Sequence, residues 1–358
     1  MAKRNEFLDI VKFVAIFLVL WGHVIQQSYS AGKVDPNPYL DTIYCIIYTV
    51  HMPLFMGLCG YFFSLSINKV NLCKKAYVKK RIKALMIPML SFGLIKFLID
   101  VYLKNNDMGI ILYLKDVKDI WFLGDLAVNT IIVYFLMNVL SGSLKKDWKW
   151  LVIGMFFSMI PYTGQGIYMY IFFILGFYIP KYIGRIKIDF LSFRYVLGAI
   201  CMYLIIYNIY VDLGIYAFSI NFLKYSNLLV LFINDFLKIF LGIIGIYILM
   251  FIIWKIKNIK CLSVFMNKAK KYGKYTLELY LLNIIILEHI LGMIIYNWIV
   301  TKYNYNIIQD NGFIFEFFST FILSLIIIEI CLFITNKIYK YPKISKILFY
   351  KVKINSNK

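Results

Sequence analysis

The chain has 358 residues; 62% are hydrophobic, only 16% are charged, and the formal net charge is +21. Soluble domains run near half apolar and a quarter charged, so a soluble globule, a disordered chain, a coiled coil and a disulfide-stapled secreted domain are excluded. At roughly 20 apolar residues per bilayer crossing, the length has room for about ten spans with short loops, and the expected fold class is an all-α membrane protein, a single helical bundle.

Ten apolar segments are read in chain order: 7–27, 41–66, 84–103, 120–140, 150–162, 167–180, 195–213, 228–254, 275–299 and 312–336. The fifth and sixth are short and flank Pro161-Tyr162-Thr163-Gly164. They fit tilted, broken or re-entrant helices, or one hairpin. The first has too long an apolar run for a cleaved signal peptide, and no small-x-small site follows it. The six cysteines are scattered without a C-x-x-C pair. They read as small apolar residues in a bilayer rather than as a disulfide or zinc framework.

Charge placement sets the expected orientation. With the N-terminus inside, the inner segments hold 30 of the 39 Lys and Arg, the outer loops hold 6, and Lys12, Lys96 and Lys238 lie within spans. Such a bias predicts cytoplasmic N- and C-termini. It also accounts for the +21 through the anionic inner leaflet, so nucleic acid is not needed as a partner. The bundle is expected over 1–336, with a basic cytoplasmic tail over 337–358. In that tail Ile344, Ile347, Leu348 and Phe349 alternate with lysines after Pro342, which predicts an amphipathic helix.

Ionisable residues inside spans mark candidate functional positions, because lipid does not solvate them. The first span carries Asp9, Lys12 and His23. Lys12 and His23 are eleven residues apart, close to three turns, and so share one helix face about 16 Å apart. Lys12 fits an ion pair with Asp9, snorkelling to the interface, or a site cation. His23 fits a core hydrogen-bonding strut or an acid–base group. The second span has His51 next to Met52-Pro53, followed by Gly57 and Gly60, which predicts a kinked, closely packed helix. The chain has only three histidines, His23, His51 and His289, all within expected spans. Lys79-Lys80-Arg81-Ile82-Lys83 precedes the third span and fits either plain positive-inside bias or a phosphate clamp. Trp121 and Asp125 in Trp121-Phe122-Leu123-Gly124-Asp125, the pair Asp235 and Lys238, and Glu278, Glu288 and His289 complete the polar set. No cluster has metal-ligand spacing, and no metal is expected.

Taken together, these segments resemble the acyltransferase-3 family of integral-membrane acyltransferases. Lys12 and His23 fit the family's basic-residue–x10–His pattern. His51-Met52-Pro53-Leu54-Phe55 through Gly60-Tyr61-Phe62 resembles its second-span signature, and Arg81 through Ile87-Pro88 its third-span entry. Trp121-Phe122-Leu123, Tyr170 through Phe177 and Tyr275 through Asn283 resemble later blocks. Two positions depart: Ala84 stands where a second arginine is usual, and Asn283 where histidine is common.

The resemblance implies ten helices in a bacterial cytoplasmic membrane. It implies transfer of an acetyl or other short acyl group from cytoplasmic acyl-CoA, a co-substrate rather than a bound cofactor, to a sugar hydroxyl of an envelope glycan, exopolysaccharide or lipid-linked precursor. His23 would be the catalytic residue, as general base or acyl carrier, with Lys12 supporting it. Arg81, Lys80 and Lys83 would hold the CoA phosphates, and His51, Trp121 and Asp125 would be substrate candidates. Expected partners are acyl-CoA, the glycan acceptor, membrane lipids and envelope-glycan biosynthesis proteins. No separate extracytoplasmic hydrolase-like domain is expected within this length. The rival classes are a transporter or exporter of a glycan or small polar solute, and a structural envelope subunit. An inverted repeat, which would favour the transporter, is not visible.

Overall fold

A computed structural model describes residues 5–32, 41–69, 74–104, 109–139, 152–154, 166–182, 192–212, 228–257, 259–291 and 312–351. Their regular structure is helical, with no strand among them. The main elements are α1 (Glu6–Gly32), α2 (Thr42–Ile67), α3 (Lys74–Lys104), α4 (Ile110–Asp119), α5 (Trp121–Val139) and α6 (Gly166–Tyr182). They continue with α7 (Phe193–Asp212), α8 (Leu228–Ile256), α9 (Ser263–Tyr272), α10 (Thr276–Asn283), α11 (Gly312–Ile338) and α12 (Pro342–Phe349). A π-helical segment, Ile284–Leu291, continues α10.

Among the described residues six helices are long and apolar enough to cross a membrane: Glu6–Gln27, Thr42–Ile67, Lys74–Tyr102, Trp121–Asn138, Phe236–Ile256 and Phe317–Ile338. Two shorter apolar helices are Phe193–Ile209 and Thr276–Leu287. The burial pattern fits lipid as solvent. On α11 the outer stripe Phe318, Ile322, Ile326 and Phe333 is at least half exposed, while Ser324 and Thr335 are fully buried. Water would reward the opposite arrangement. The chain is an all-α, multi-pass membrane protein.

Expected segment 150–162 lies almost entirely outside the described residues, as do Pro161 through Gly164. The third helix starts at Lys74, ten residues before the apolar run expected from 84. Its basic entry is rich in Lys, Ala and Arg, strong helix formers without a breaker. The segment expected over 275–299 is described to Leu291 and changes from α to π after Asn283.

The chain forms two compact units. The first contains residues 1–48, 87–120 and 264–358. Here α1 packs on α10 and α11. Phe13, Phe17 and Trp21 recur every fourth residue and so line one side of α1. Phe17 meets Phe321 edge-on at 5.2 Å between centroids, and Trp21 meets Phe317 at 5.1 Å. The indole N–H of Trp21 donates to Thr320 Oγ1 at 2.9 Å, satisfying a donor that lipid would leave bare. At the other end of α1 a side chain on Gly273 would sit 1.9 Å from the Asp9 carbonyl oxygen, so α1 and the turn before α10 touch backbone to backbone. Lys96, buried on α3, pairs with Asp119 and lies 3.8 Å from Asp116 on α4. That pairing neutralises a cation placed inside a span by the sequence reading.

The tail helix α12 docks on this unit. Phe349 is fully buried, 5.6 Å from the Phe92 ring and 5.9 Å from Tyr339. Ser91 Oγ donates to the Ile347 carbonyl at 2.9 Å. Beyond the helix Lys351 reaches back 3.0 Å to the buried carboxylate of Glu278, which also accepts from Tyr339 Oη. Burial, and the Glu278 carboxylate beside it, push the Tyr339 phenol well above the usual tyrosine range, so it remains a donor. Ile344 and Ile347 stay exposed on the outer side among lysines.

The second unit contains residues 49–86 and 121–263. In it α2 and α6 approach backbone to backbone. A side chain on Gly60 would lie 2.0 Å from the Phe173 carbonyl oxygen, and one on Gly176 would lie 1.9 Å from the Gly57 carbonyl oxygen. Glycines on both helices thus permit direct backbone approach, the usual basis of helix association where lipid removes the hydrophobic drive. On α7 and α8 the pair Tyr203 and Leu241 forms a small apolar core, and Tyr203 Oη bonds Thr49 Oγ1 at 2.7 Å. Pro53 and Pro88 lie within α2 and α3, which continue through them.

Two outcomes follow. Gly60→Val should abolish the monodisperse detergent-extracted species on size-exclusion chromatography, while Gly198→Ala, facing open space, should leave it unchanged. Phe349→Ala should cost about 3 kcal/mol, as for a buried aromatic, read as a clear fall in the thermal unfolding midpoint.

Candidate functional site

α1 carries the two residues singled out by spacing. Its start is set by Asn5, whose Oδ1 accepts from the backbone N–H of Phe7 at 3.1 Å and Leu8 at 3.4 Å. Such capping satisfies donors that have no partner within the helix. Lys12 Nζ lies 2.6 Å from Asp9 Oδ1, one turn away. Of the alternatives the sequence left open for Lys12, this is the ion pair. The lysine side chain keeps 21% exposure and the carboxylate 6%, so the cation retains a route to the surface.

His23 sits half-buried on α1, between the buried residues Gly22 and Val24. Its Nδ1 is fully shielded and makes no hydrogen bond of good geometry. The side chain within reach is Asn283, at the end of α10, which can act on the imidazole through a hydrogen bond. Asn283 is itself completely buried. Its amide nitrogen donates to the carbonyls of Leu279 at 3.1 Å and Tyr280 at 2.6 Å, just where the helix widens into its π turn. Its Oδ1 is buried and makes no hydrogen bond of good geometry. Widened turns of this kind recur at functional positions because they free backbone groups and re-aim side chains.

In the second unit Arg81 turns inward, toward α2. Its guanidinium donates to the Cys59 carbonyl at 3.3 Å and lies 5.1 Å over the Phe63 ring, while its Nε is buried without a partner. Lys80 and Lys83, either side of it, are exposed. His51 on α2 and Asp125 on α5 are buried, and Trp121 is half-buried against Phe122. The helices bearing them meet through the Phe55 and Phe122 rings at 5.5 Å and through Asn129, whose amide reaches Met56 Sδ at 3.9 Å. Lys238 is buried with its ammonium 5.4 Å over the Tyr168 ring. The side chains of Asp235, Glu288 and His289 lie outside the described residues.

The structure thus places Lys12 and His23 on one helix and collects Arg81, His51, Trp121 and Asp125 in the other unit. Sequence reasoning treated Asn283 only as a departure from a histidine. Its position opposite His23 had one available signal, a lone amide within the apolar run Leu281 through Leu287. The contact of Glu278 with Lys351 spans 73 residues and carried no local signal.

The model of the acyltransferase domain family matches residues 5–332. Over 186 residues, 49% of its length, the chain is 28% identical to the nodulation protein NolL of Sinorhizobium fredii, 48% of which is covered. The chain therefore spans about half the length of this curated relative. No solved structure matches significantly. With the family match running from the start of α1 to within α11, the chain belongs to the acyltransferase domain family.

Proposed function

We propose that this protein is a membrane O-acyltransferase of a bacterial cytoplasmic membrane, with both termini cytoplasmic. It moves an acetyl or other short acyl group from cytoplasmic acyl-CoA to a hydroxyl of an envelope sugar, exopolysaccharide or lipid-linked glycan. The observation that carries the reading is His23: an imidazole at membrane depth, one nitrogen shielded, on the helix that opens the family match.

In this reading His23 is the general base. It takes the proton from the acceptor hydroxyl as that oxygen attacks the thioester carbonyl. The carbon–sulfur bond breaks, and the proton held on the imidazole goes to the leaving CoA thiolate. A thioester is already activated, so a positioned base and electrostatic support suffice for the chemistry. Lys12 supports the same helix face nearer the inner surface, and its pairing with Asp9 holds its charge in place. Exposed Lys80 and Lys83 meet the phosphates of CoA, with Arg81 behind them. His51, Trp121 and Asp125 are the candidates for acceptor contacts.

The test uses inverted membrane vesicles and acetyl-labelled acetyl-CoA. His23→Ala at equal expression should lower label transfer to glycan or glycolipid by roughly 100-fold or more, the contribution of a general base. Undiminished transfer would remove His23 from the chemistry. Flux of a glycan or solute without acyl transfer would favour the transporter.

The Lys12 pair gives a second outcome. Lys12→Met takes the cation away from the mostly buried Asp9 carboxylate and should lower both activity and the unfolding midpoint. The Lys12→Met/Asp9→Asn double variant should recover the midpoint but not the activity. Recovery of both would reduce Lys12 to a structural role.

A further inference from the structure

We infer that Asn283 is a positioning residue for His23: its carboxamide oxygen holds Nδ1 of the imidazole protonated and leaves Nε2 as the bare, proton-accepting nitrogen. This rests on the reading of His23 as general base, and it names the group that fixes which nitrogen acts.

Asn283 has two ends, and in this structure they are not interchangeable. The nitrogen end is committed to two carbonyls of its own helix, those of Leu279 and Tyr280. A flipped amide would set its oxygen against both carbonyls and lose both bonds. The oxygen end is therefore fixed as the outward acceptor, and it is buried without a bond of good geometry to any other group. The side chain it can act on is His23, across the contact between α1 and α10.

The histidine supplies the complement. Nδ1 is its buried nitrogen that makes no bond of good geometry, whereas Nε2 is not among the buried unsatisfied atoms. A buried amide oxygen can only accept, so a ring nitrogen engaging it must carry the proton. In a neutral imidazole one nitrogen donates and the other accepts, and the bond made by one decides the state of the other. Pairing these two atoms removes two costly buried polar groups at once. It also presents the lone pair on Nε2, the nitrogen with access. A triad carboxylate orients its histidine by the same logic, here with a neutral acceptor that buries no charge.

The register supports the pairing. α1 and α10 both run away from the close contact of Gly273 with the Asp9 backbone. Asn283, the last residue of α10, and His23 lie on segments that pack together, since α1 contacts both α10 and its π-helical continuation. The π turn that begins at Ile284 opens the helix immediately after Asn283.

The primary test does not depend on activity. The protein is labelled with ring-15N histidine and placed in lipid nanodiscs; with only three histidines, His51→Gln and His289→Gln variants assign His23. The expected spectrum has His23 protonated at Nδ1 and bare at Nε2, and Asn283→Leu converts it to the Nε2-protonated form or a mixture. A wild-type His23 protonated at Nε2, or a tautomer unchanged in Asn283→Leu, overturns the inference.

Kinetics give an independent arm. Asn283→Leu should lower kcat at least tenfold with KM for acyl-CoA within twofold, and Asn283→Asp, which keeps the acceptor but loses the two amide donors, should recover most of kcat. Equal impairment of both, tracking a lowered unfolding midpoint, would assign Asn283 to holding α10 and overturn the inference. A wild type with the expected tautomer but no acyl transfer would overturn the general-base reading of His23 while the tautomer assignment stands.

Discussion

A bilayer interior offers no water to a polar group, and this constraint organises the chain more than any single contact. Each polar side chain placed in a span must find a partner in protein or bear the cost of leaving one unmade. The buried indole of Trp21 finds Thr320. The buried ammonium of Lys96 finds carboxylates on α4. Glu278 is met by Tyr339 and by Lys351 from the tail. Against that background, Nδ1 of His23 and Oδ1 of Asn283 stand out as two complementary buried atoms, neither held in a well-formed bond, on side chains within reach of each other. Apolar residues at both positions would avoid that cost.

The same solvent shapes the packing. Lipid is as apolar as leucine, so helices do not associate to hide apolar surface. They associate where backbones come close. Gly57, Gly60 and Gly176 serve this in one unit, and Gly273 in the other. The aromatic stripe of α1 then fills the space beside the close contact and fixes the rotation of the helix that carries His23. A site built on such a helix inherits its rigidity.

Fold class was legible from composition, and nine of the ten apolar segments coincide with described helices, because hydrophobic run length is a strong signal in membranes. The paired positions Lys12 and His23 were legible because helical periodicity alone puts them on one face. The ion pair of Lys12 with Asp9 was one of the readings the spacing allowed. Contacts between distant segments were not legible: Lys96 with Asp116 and Asp119, Glu278 with Lys351, and Phe349 with Phe92 depend on which helices become neighbours, which hydropathy does not encode. Asn283 drew attention only as a missing histidine. Its role as an acceptor depends on where α10 ends and on which of its own carbonyls its amide nitrogen takes.

The central claim is that a histidine in the first span carries acyl transfer. The most direct measurement is release of free CoA thiol from acyl-CoA by the purified protein in lipid, titrated with envelope glycolipid extract. The account predicts thiol release that saturates with acceptor and disappears in His23→Ala. Thiol release by His23→Ala equal to that of the wild type would contradict it.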